Sequence, residues 1–151
     1  MKKIQTVGII REGNKILLGL KKRGFGAGRW NGFGGKVEKD ETPIETMKRE
    51  LFEEVKIRTV DLVEYGTIAF RFENHEDVIE CHFFLIEEYE GNPIESEEMR
   101  PEWFDIAKIP YDSMWPDDRF WLPLMLKGKK FDGKILFNSQ GNILKNGIKA
   151  V

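Results

Sequence analysis

Hydrophobic positions along this chain recur in two ways, as short runs of β-forming residues and as apolar residues at helical spacing. Residues 4–10 and 15–20 are two β-forming runs, and the polar residues 12–14 between them favour a hairpin turn. Residues 58–72 are extended and predict one long bent strand or two short strands. Residues 78–88 predict a further strand, in which alternate side chains share one face.

The first predicted helix lies between these two groups of strands. Its apolar positions form one narrow stripe at helical spacing: Ile44, Met47, Leu51 and Val55. Asp40 or Thr42 offers an N-cap oxygen, and Pro43 suits the first helical position. The pattern therefore predicts a helix that begins at Pro43 and has one apolar side.

A second helix and closing strands are predicted in the last third of the chain. Residues 101–104 predict a short aromatic strand, and residues 115–118 are typical of a helix start. The apolar face of that helix consists of Phe120, Trp121, Leu124 and Met125. Gly128 ends it, and residues 131–148 predict two short strands. This order of elements predicts an α/β fold in which a mixed sheet packs between helices.

Composition excludes several classes of protein. A chain of 151 residues with 40% apolar and 33% charged residues fits one globular domain, residues 1–151. The net charge of −2 argues against direct nucleic-acid binding, which needs a basic surface. The single cysteine, Cys81, excludes an intrachain disulfide and, with two histidines, a zinc site of the usual kind. No targeting segment or membrane-spanning run is recognisable, so we expect a cytoplasmic protein without a membrane partner, and a monomer.

The segment 21–33 combines many glycines with alternating aromatic and basic residues. Glycine at this density disfavours regular structure and is typical of a mobile surface loop. A loop that contacts phosphates would use basic side chains and exposed backbone amides in the same way. The composition alone leaves both interpretations open.

Three glutamates lie close together on the first predicted helix. Glu50 and Glu54 are four residues apart and project from one side, and Glu53 is adjacent. Like charges at this spacing weaken a helix unless a cation offsets them. A hard divalent cation such as Mg²⁺ prefers oxygen ligands of this kind. The alternative interpretation is a solvated acidic face.

The spacing around these glutamates forms a longer motif. From Gly35 the chain reads G-x5-E-x7-R-E-U-x-E-E, where U is a bulky aliphatic residue and x is any residue. The specified residues are Gly35, Glu41, Arg49, Glu50, Leu51, Glu53 and Glu54. The motif resembles the Nudix box, the signature of Mg²⁺-dependent hydrolases of nucleoside diphosphates linked to another group. Lys56 stands where the family has glycine, and a lysine at positive φ costs roughly 1–2 kcal/mol. The geometry of the helix exit is therefore left open.

The resemblance extends beyond the box to one branch of the family. Residues 21–37, 95–101 and 114–118 are similar, in that order, to the MutT homologues that hydrolyse oxidised purine nucleoside triphosphates. The resemblance implies a Nudix fold, an α/β/α sandwich. It also implies hydrolysis of 8-oxo-dGTP and 2-hydroxy-dATP to the monophosphate and pyrophosphate, which removes damaged precursors from the nucleotide pool.

The resemblance further assigns roles to individual residues. Mg²⁺, with Mn²⁺ as a substitute, would be held by Glu50, Glu53, Glu54, the carbonyl of Gly34 and Glu98. Glu98 is also explained by an acidic surface loop. Glu53 or Glu54 would act as the general base, and Arg49 would orient a carboxylate. The nucleotide pocket would comprise Thr6, Lys21, Asn31, Phe33, Gly34, Gly35, Lys36, Trp115, Pro116, Asp117 and Asp118. Phe25, Phe70 and Phe72 would complete its walls, with core packing as the alternative.

Two further alternatives remain at this stage. The first is a Nudix hydrolase of another nucleotide, such as a methylated purine triphosphate or a dinucleotide. The second is a non-catalytic nucleotide-binding module, although a binder has no need to keep a repulsive glutamate cluster. Asp117 and Asp118 are explained either as acids of a helix first turn or as a pair that shares a proton and contacts a purine edge.

Overall fold

The computed structural model of the protein describes residues 2–151. The strands of this part of the chain are β1 (Lys2–Glu12), β2 (Lys15–Lys21), β3 (Trp30–Asn31), β4 (Arg58–Phe72), β5 (Val78–Glu90), β6 (Met99–Asp105), β7 (Phe131–Phe137), β8 (Ile143–Asn146) and β9 (Lys149–Ala150). The helices are α1 (Pro43–Val55) and α2 (Asp118–Leu126), with short 3₁₀ turns at Ile106–Lys108 and Tyr111–Ser113. The predicted order of strands and helices is therefore confirmed.

All the strands belong to one mixed sheet. Its order is β3-β2-β1-β5-β4-β7-β8, with β6 paired to β2 and β9 paired to β7. The pairs β1–β5 and β4–β7 are parallel, and the other pairs are antiparallel. The segment 33–37 also runs along the free edge of β1, where the amides of Thr6 and Gly8 donate to carbonyls of Gly35 and Phe33.

A helix covers each face of this sheet. Phe83 and Phe84 are neighbours on β5, and because strand side chains alternate they face opposite cores. Phe83 packs with Trp121 of α2, whereas Phe84 lies in the cluster that contains Met47 and Leu51 of α1. The predicted α/β/α arrangement is confirmed.

The N-terminus of α1 is fixed by a capping box. The Thr42 hydroxyl accepts from the Glu45 amide at 3.2 Å, and the Glu45 carboxylate accepts from the Thr42 amide at 2.9 Å. Thr42, and not Asp40, is therefore the N-cap. The predicted apolar stripe is wrong at its first position, because Ile44 is 47% exposed while the other three residues are buried.

The helix exit keeps the left-handed turn that glycine usually provides. Lys56 has φ 62° and ψ 29°, and its amide donates to the Phe52 carbonyl at 3.0 Å. The following residue, Ile57, is completely buried in the core beneath α1. We conclude that burial of Ile57 offsets the strain at Lys56, as is common for apolar residues after a helix.

Two other features of the fold concern its long elements. The segment 58–72 is one strand and not two, and β-bulges bend it between Thr59 and Gly66. In residues 2–151 neither helix has the length and apolar character that crossing a membrane requires.

Candidate active site

One cavity of about 550 Å³ lies where the glycine-rich segment, α1 and the start of α2 approach the sheet. Its lining residues come from nearly every part of the chain: Gln5, Thr6, Val7, Lys21, Arg23, Gly24, Phe25, Asn31, Gly32, Gly34, Gly35, Lys36, Glu50, Glu54, Phe70, Phe72, Ile79, Cys81, Phe83, Glu98, Met99, Trp115, Asp117, Asp118, Trp121 and Phe137. Aromatic rings, carboxylates and basic side chains thus meet in one concave space, as expected for a small-molecule site.

The glycine pair brings α1 against the edge of β1. The Gly34 amide donates to Oε1 of Glu54 at 2.9 Å, and Gly34 has φ 152°. A Cβ atom at Gly35 would lie 2.6 Å from the carboxylate carbon of Glu50, closer than real contacts allow. A Cβ atom at Gly34 would lie 2.0 Å from the carbonyl oxygen of Thr6, so glycine there lets the turn lie against β1, and glycine at position 35 leaves room for Glu50.

Arg49 connects the acidic residues on and before α1. Its Nε donates to Glu41 at 2.8 Å and its Nη2 to the other Glu41 oxygen at 3.0 Å. Its Nη1 donates to Glu50 at 2.9 Å and to Glu53 at 3.3 Å. The hydrogen bonding from Arg49, together with that from the Thr46 hydroxyl, lowers the pKa of Glu41 to about 2. Arg49 therefore orients three carboxylates at once.

Glu54 and Glu50 are carboxylates in an unfavourable environment. Burial raises the pKa of Glu54 to about 8, against the effect of the Gly34 amide and with a further contribution from the charges of Glu50 and Glu98. Burial also raises the pKa of Glu50, opposed by its hydrogen bond from Arg49. A cation would stabilise both ionised carboxylates.

The side chains fit a hard divalent cation by chemistry, since every donor is oxygen. As they stand, however, no three acidic, histidine or cysteine residues in the described chain are arranged to hold a metal ion together. Glu50 and Glu53 are directed to Arg49, and Glu98 lies 4.0 Å from Arg23. To serve as the predicted metal ligands, Glu53 and Glu98 would have to turn away from their arginine partners.

Asp117 and Asp118 form a buried pair at the start of α2. The indole Nε1 of Trp121 donates to Asp117 at 3.0 Å and to Asp118 at 3.1 Å. Burial raises the pKa of Asp117 to about 6, and burial together with the Asp117 charge raises that of Asp118 well above its ordinary value. Neither caps the helix with its side chain, and both line the cavity. Both carboxyls are therefore buried at the cavity and are not the solvated acids that an exposed first helical turn would have.

An aromatic wall stands beside this pair. Trp115 lies 5.2 Å from Phe25 and 6.0 Å from Phe137 between ring centroids. Phe70 and Phe72 both stack on Phe137 and line the cavity. These phenylalanines therefore combine core packing with a place at the cavity surface.

Four of the residues predicted for the site do not line this cavity: Phe33, Arg49, Glu53 and Pro116. Phe33 is completely buried in the core on the α1 side of the sheet, because its backbone pairs with Gly8 and turns the ring away. Glu53 is exposed beside its hydrogen-bond donor Arg49, and neither Arg49 nor Pro116 is among the residues that line the cavity. All the other predicted residues lie at the cavity.

Several lining residues were not predicted. On β5, Ile79 and Cys81 line the cavity together with Phe83, and the alternation of that strand was a signal that could have identified them. Met99 carried no comparable signal, since its place at the cavity follows from the pairing of β6 with Lys21 of β2.

Comparison with known proteins adds a family relationship. The NUDIX domain model matches residues 2–125. The chain is 44% identical over 149 residues to a mouse protein (Mus musculus) named oxidized purine nucleoside triphosphate hydrolase, covering 99% of this chain and 96% of the relative. A zebrafish protein (Danio rerio) of the same name is 45% identical over the same share of each chain. An 8-oxo-dGTP diphosphatase of Escherichia coli K12 is 33% identical over 134 residues, 86% of this chain and 99% of the relative.

Solved structures show the same fold. The crystal structure of a MutT protein from Bacillus halodurans superposes with a TM-score of 0.88, covers 97% of each chain and is 24% identical. A MutT protein from Methanosarcina mazei Go1 superposes with a TM-score of 0.70 at 26% identity, covering 85% of this chain and 96% of the other.

Proposed function

This chain belongs to the NUDIX domain family of hydrolases, and from that premise we propose that it hydrolyses oxidised purine nucleoside triphosphates such as 8-oxo-dGTP and 2-hydroxy-dATP. The products would be the monophosphate and pyrophosphate, so that damaged precursors leave the nucleotide pool. The proposal includes a monomeric protein that acts in the cytoplasm.

The observation that supports this substrate class most directly is the pairing of Asp117 and Asp118 in the same cavity as Glu50 and Glu54. A hydrolase of nucleotides in general needs only the second pair. A buried carboxylate pair beside the Trp115 ring adds a hydrogen-bonding surface for the edge of a stacked base.

The phosphate end of the substrate would lie among the basic and acidic lining residues. Lys21 and Lys36 line the cavity together with the helix glutamates and supply positive charge for the phosphate oxygens. Glu50, Glu53, Glu54, Glu98 and the Gly34 carbonyl would hold Mg²⁺, with Mn²⁺ as a substitute. When bound, the cation neutralises phosphate charge and lowers the pKa of a water molecule.

Glu54 is the better placed of the two candidate general bases. Its Oε1 is held by the Gly34 amide, so its other oxygen has a fixed position at the cavity surface. The Glu53 side chain is exposed, and it accepts from Arg49 at 3.3 Å and does not line the cavity. We assign proton removal from the attacking water to Glu54, and orientation of Glu50 to Arg49.

The base would be bound between Trp115 and the other apolar lining residues, with its edge at Asp117, Asp118 and Asn31. An ionised aspartate only accepts hydrogen bonds, whereas a protonated one also donates. Because burial raises both pKa values and the two carboxyls interact with each other directly, one proton can be shared by the pair near neutral pH. The site would then offer a donor and an acceptor together.

A steady-state substrate panel with Mg²⁺ tests the proposal. It contains 8-oxo-dGTP, 2-hydroxy-dATP, ordinary dGTP and dATP, a methylated purine triphosphate and a dinucleotide. We expect the largest kcat/KM for an oxidised purine triphosphate, with pyrophosphate as the second product. A larger kcat/KM for the methylated nucleotide or the dinucleotide would redirect the assignment within the family. Hydrolysis in ¹⁸O-labelled water identifies the phosphorus that is attacked, and gel filtration gives the oligomeric state.

A further inference from the structure

Trp115 forms part of two neighbouring cavities. Besides the main cavity, its indole lines a second one of about 380 Å³. Glycines flank the ring there, since a Cβ atom at Gly26 would lie 3.2 Å from the indole and one at Gly141 would lie 3.5 Å away. The absence of a side chain at both glycines thus leaves room for the indole, which also lies 5.2 Å from the Phe25 ring between centroids.

The guanidinium of Arg29 contacts one face of this indole. Its Cζ lies 4.2 Å from the ring centroid, within the range of a favourable cation–π interaction. Its Nη1 also donates to the carbonyl of Met114 at 3.2 Å, so the arginine holds both the ring and the backbone just before it. Arg29 lines the second cavity and is not among the residues that line the main cavity.

Arg29 is connected to a second predicted base contact. The side-chain amide of Asn31 donates to the Arg29 carbonyl at 2.8 Å. With one amide hydrogen used in this way, the Asn31 carbonyl oxygen is left available to the main cavity, which it lines. One residue outside the main cavity therefore contacts two residues that line it.

We infer that Arg29 is a positioning residue for base recognition, which keeps the Trp115 indole oriented so that its other face is presented to the purine. This inference rests on the proposed function, because it concerns how an oxidised purine is held in the main cavity. Arg29 itself would not touch the substrate. It acts through the ring that it supports and through the fixed backbone beside it.

The competing explanation is that Arg29 only anchors the glycine-rich segment to the body of the protein. In that case its removal lowers stability but leaves the folded protein's affinity for the base unchanged. The two explanations differ in the dissociation constant of a nucleoside monophosphate, which can be measured without catalysis or metal.

The experiment compares the parent with Arg29→Gln and Arg29→Lys by calorimetric titration with 8-oxo-dGMP in EDTA, and by kcat and KM for 8-oxo-dGTP. Glutamine removes the charge from the ring, and we expect a Kd and KM roughly 3- to 30-fold higher with kcat nearly unchanged. Lysine keeps the charge but cannot contact the ring and the Met114 carbonyl with one planar group, so we expect an intermediate Kd. Arg58→Gln is the matched control, because the Arg58 guanidinium lies 4.3 Å over Phe52, outside the cavity.

The outcomes separate the inference from the proposed function. If Arg29→Gln folds and has the parental Kd, the positioning role is overturned. If Arg29→Gln does not fold, a parental Kd in Arg29→Lys overturns the role instead. A Kd change of the same size in Arg58→Gln also overturns it. If the parent neither hydrolyses 8-oxo-dGTP nor binds 8-oxo-dGMP, the proposed function itself fails. If the parent does both, the variants decide the role of Arg29 alone.

Discussion

The backbone amide of Gly34 donates a hydrogen bond to Oε1 of Glu54 over 2.9 Å, and this bond connects the turn beside β1 to the buried face of α1. The bond fixes the direction of a carboxylate that is 5% exposed. It also means that the position of Glu54 depends on an oxygen acceptor and not on its charge. An amide side chain could therefore occupy the same place.

Glu54→Gln should abolish most of the activity without unfolding the protein. The glutamine oxygen can still accept from Gly34, whereas the charge and the basicity are lost. We expect kcat for 8-oxo-dGTP to fall roughly 10²- to 10⁴-fold, the range for a missing general base. The melting temperature in EDTA should be close to the parental value, because glutamine keeps the acceptor for Gly34 and is uncharged, like the protonated glutamate. Glu87→Gln, at an exposed position on β5, is the control for a lost carboxylate. Turnover near the parental rate in Glu54→Gln would contradict the assignment.

Divalent metal should stabilise the protein through the same carboxylates. An ion that binds only the folded state raises stability according to its concentration and Kd. We expect EDTA to stop hydrolysis, and excess Mg²⁺ to restore it and raise the melting temperature. The increase should be smaller in Glu54→Gln than in the parent. An equal increase in both proteins would show that the ion binds elsewhere.

The left-handed residue at the end of α1 allows a test of backbone strain. Lys56→Gly relieves the positive φ, whereas Lys56→Ala keeps it, and both lose the contact in which Nζ lies 5.0 Å over the Phe52 ring. After allowance for the greater entropy of glycine in the unfolded chain, we expect the glycine variant to be more stable than the alanine variant by about 1 kcal/mol. Urea titration measures the difference. Equal stabilities, or a more stable alanine variant, would contradict strain at this position.

Sequence reasoning succeeded where neighbouring residues determine the geometry. The spacing of Glu50 and Glu54 on one helix was predicted because an α-helix has a fixed period, and Pro43 marked the first turn. It failed at Ile44, since the apolar period does not reveal that the first turn extends into solvent. It failed at Phe33 because pairing with Gly8 determines which face the ring occupies.

Contacts between distant segments were the least predictable part of the site. The stacking of Arg29 on Trp115 joins a glycine-rich loop to the start of α2, and no local pattern in either segment indicates it. The burial of Asp117 and Asp118 was equally hidden, because an acidic first turn is ordinarily solvated. Only the fold shows that Trp121, on the next turn, donates to both carboxylates.

The buried aspartates should make stability depend on pH. A carboxyl whose pKa is raised in the folded state stabilises the fold as long as it stays protonated. For Asp117 this stabilisation is lost as the pH rises from about 4, the unfolded pKa, through about 6, the folded pKa. For Asp118, whose folded pKa is higher, the loss continues at higher pH. Asp118→Asn keeps an acceptor for Trp121 but does not ionise. Its stability relative to the parent should therefore be greater at pH 8 than at pH 5, by an amount on the order of 1–3 kcal/mol. Asp132→Asn, at an exposed site on β7, should show no such trend. A difference that is the same at both pH values would contradict buried titration at Asp118.

The same aspartates should also govern the choice of base. Oxidation of guanine at position 8 converts N7 from an acceptor into an N–H donor, which an ionised carboxylate can accept. A pair that redistributes one proton can meet the different edge of 2-hydroxyadenine without a second pocket. Asparagine at either position fixes one donor and one acceptor permanently and removes this adaptability.

We therefore expect Asp117→Asn and Asp118→Asn each to lose activity and to change the ratio of kcat/KM between 8-oxo-dGTP and 2-hydroxy-dATP. Because ordinary dGTP lacks the N7 hydrogen, its kcat/KM should change less. The measurement is kcat/KM for all three substrates across the pH range in which the pair titrates, with Asp132→Asn as the control. Parental ratios in both variants at every pH would show that base selection resides in other residues of the cavity.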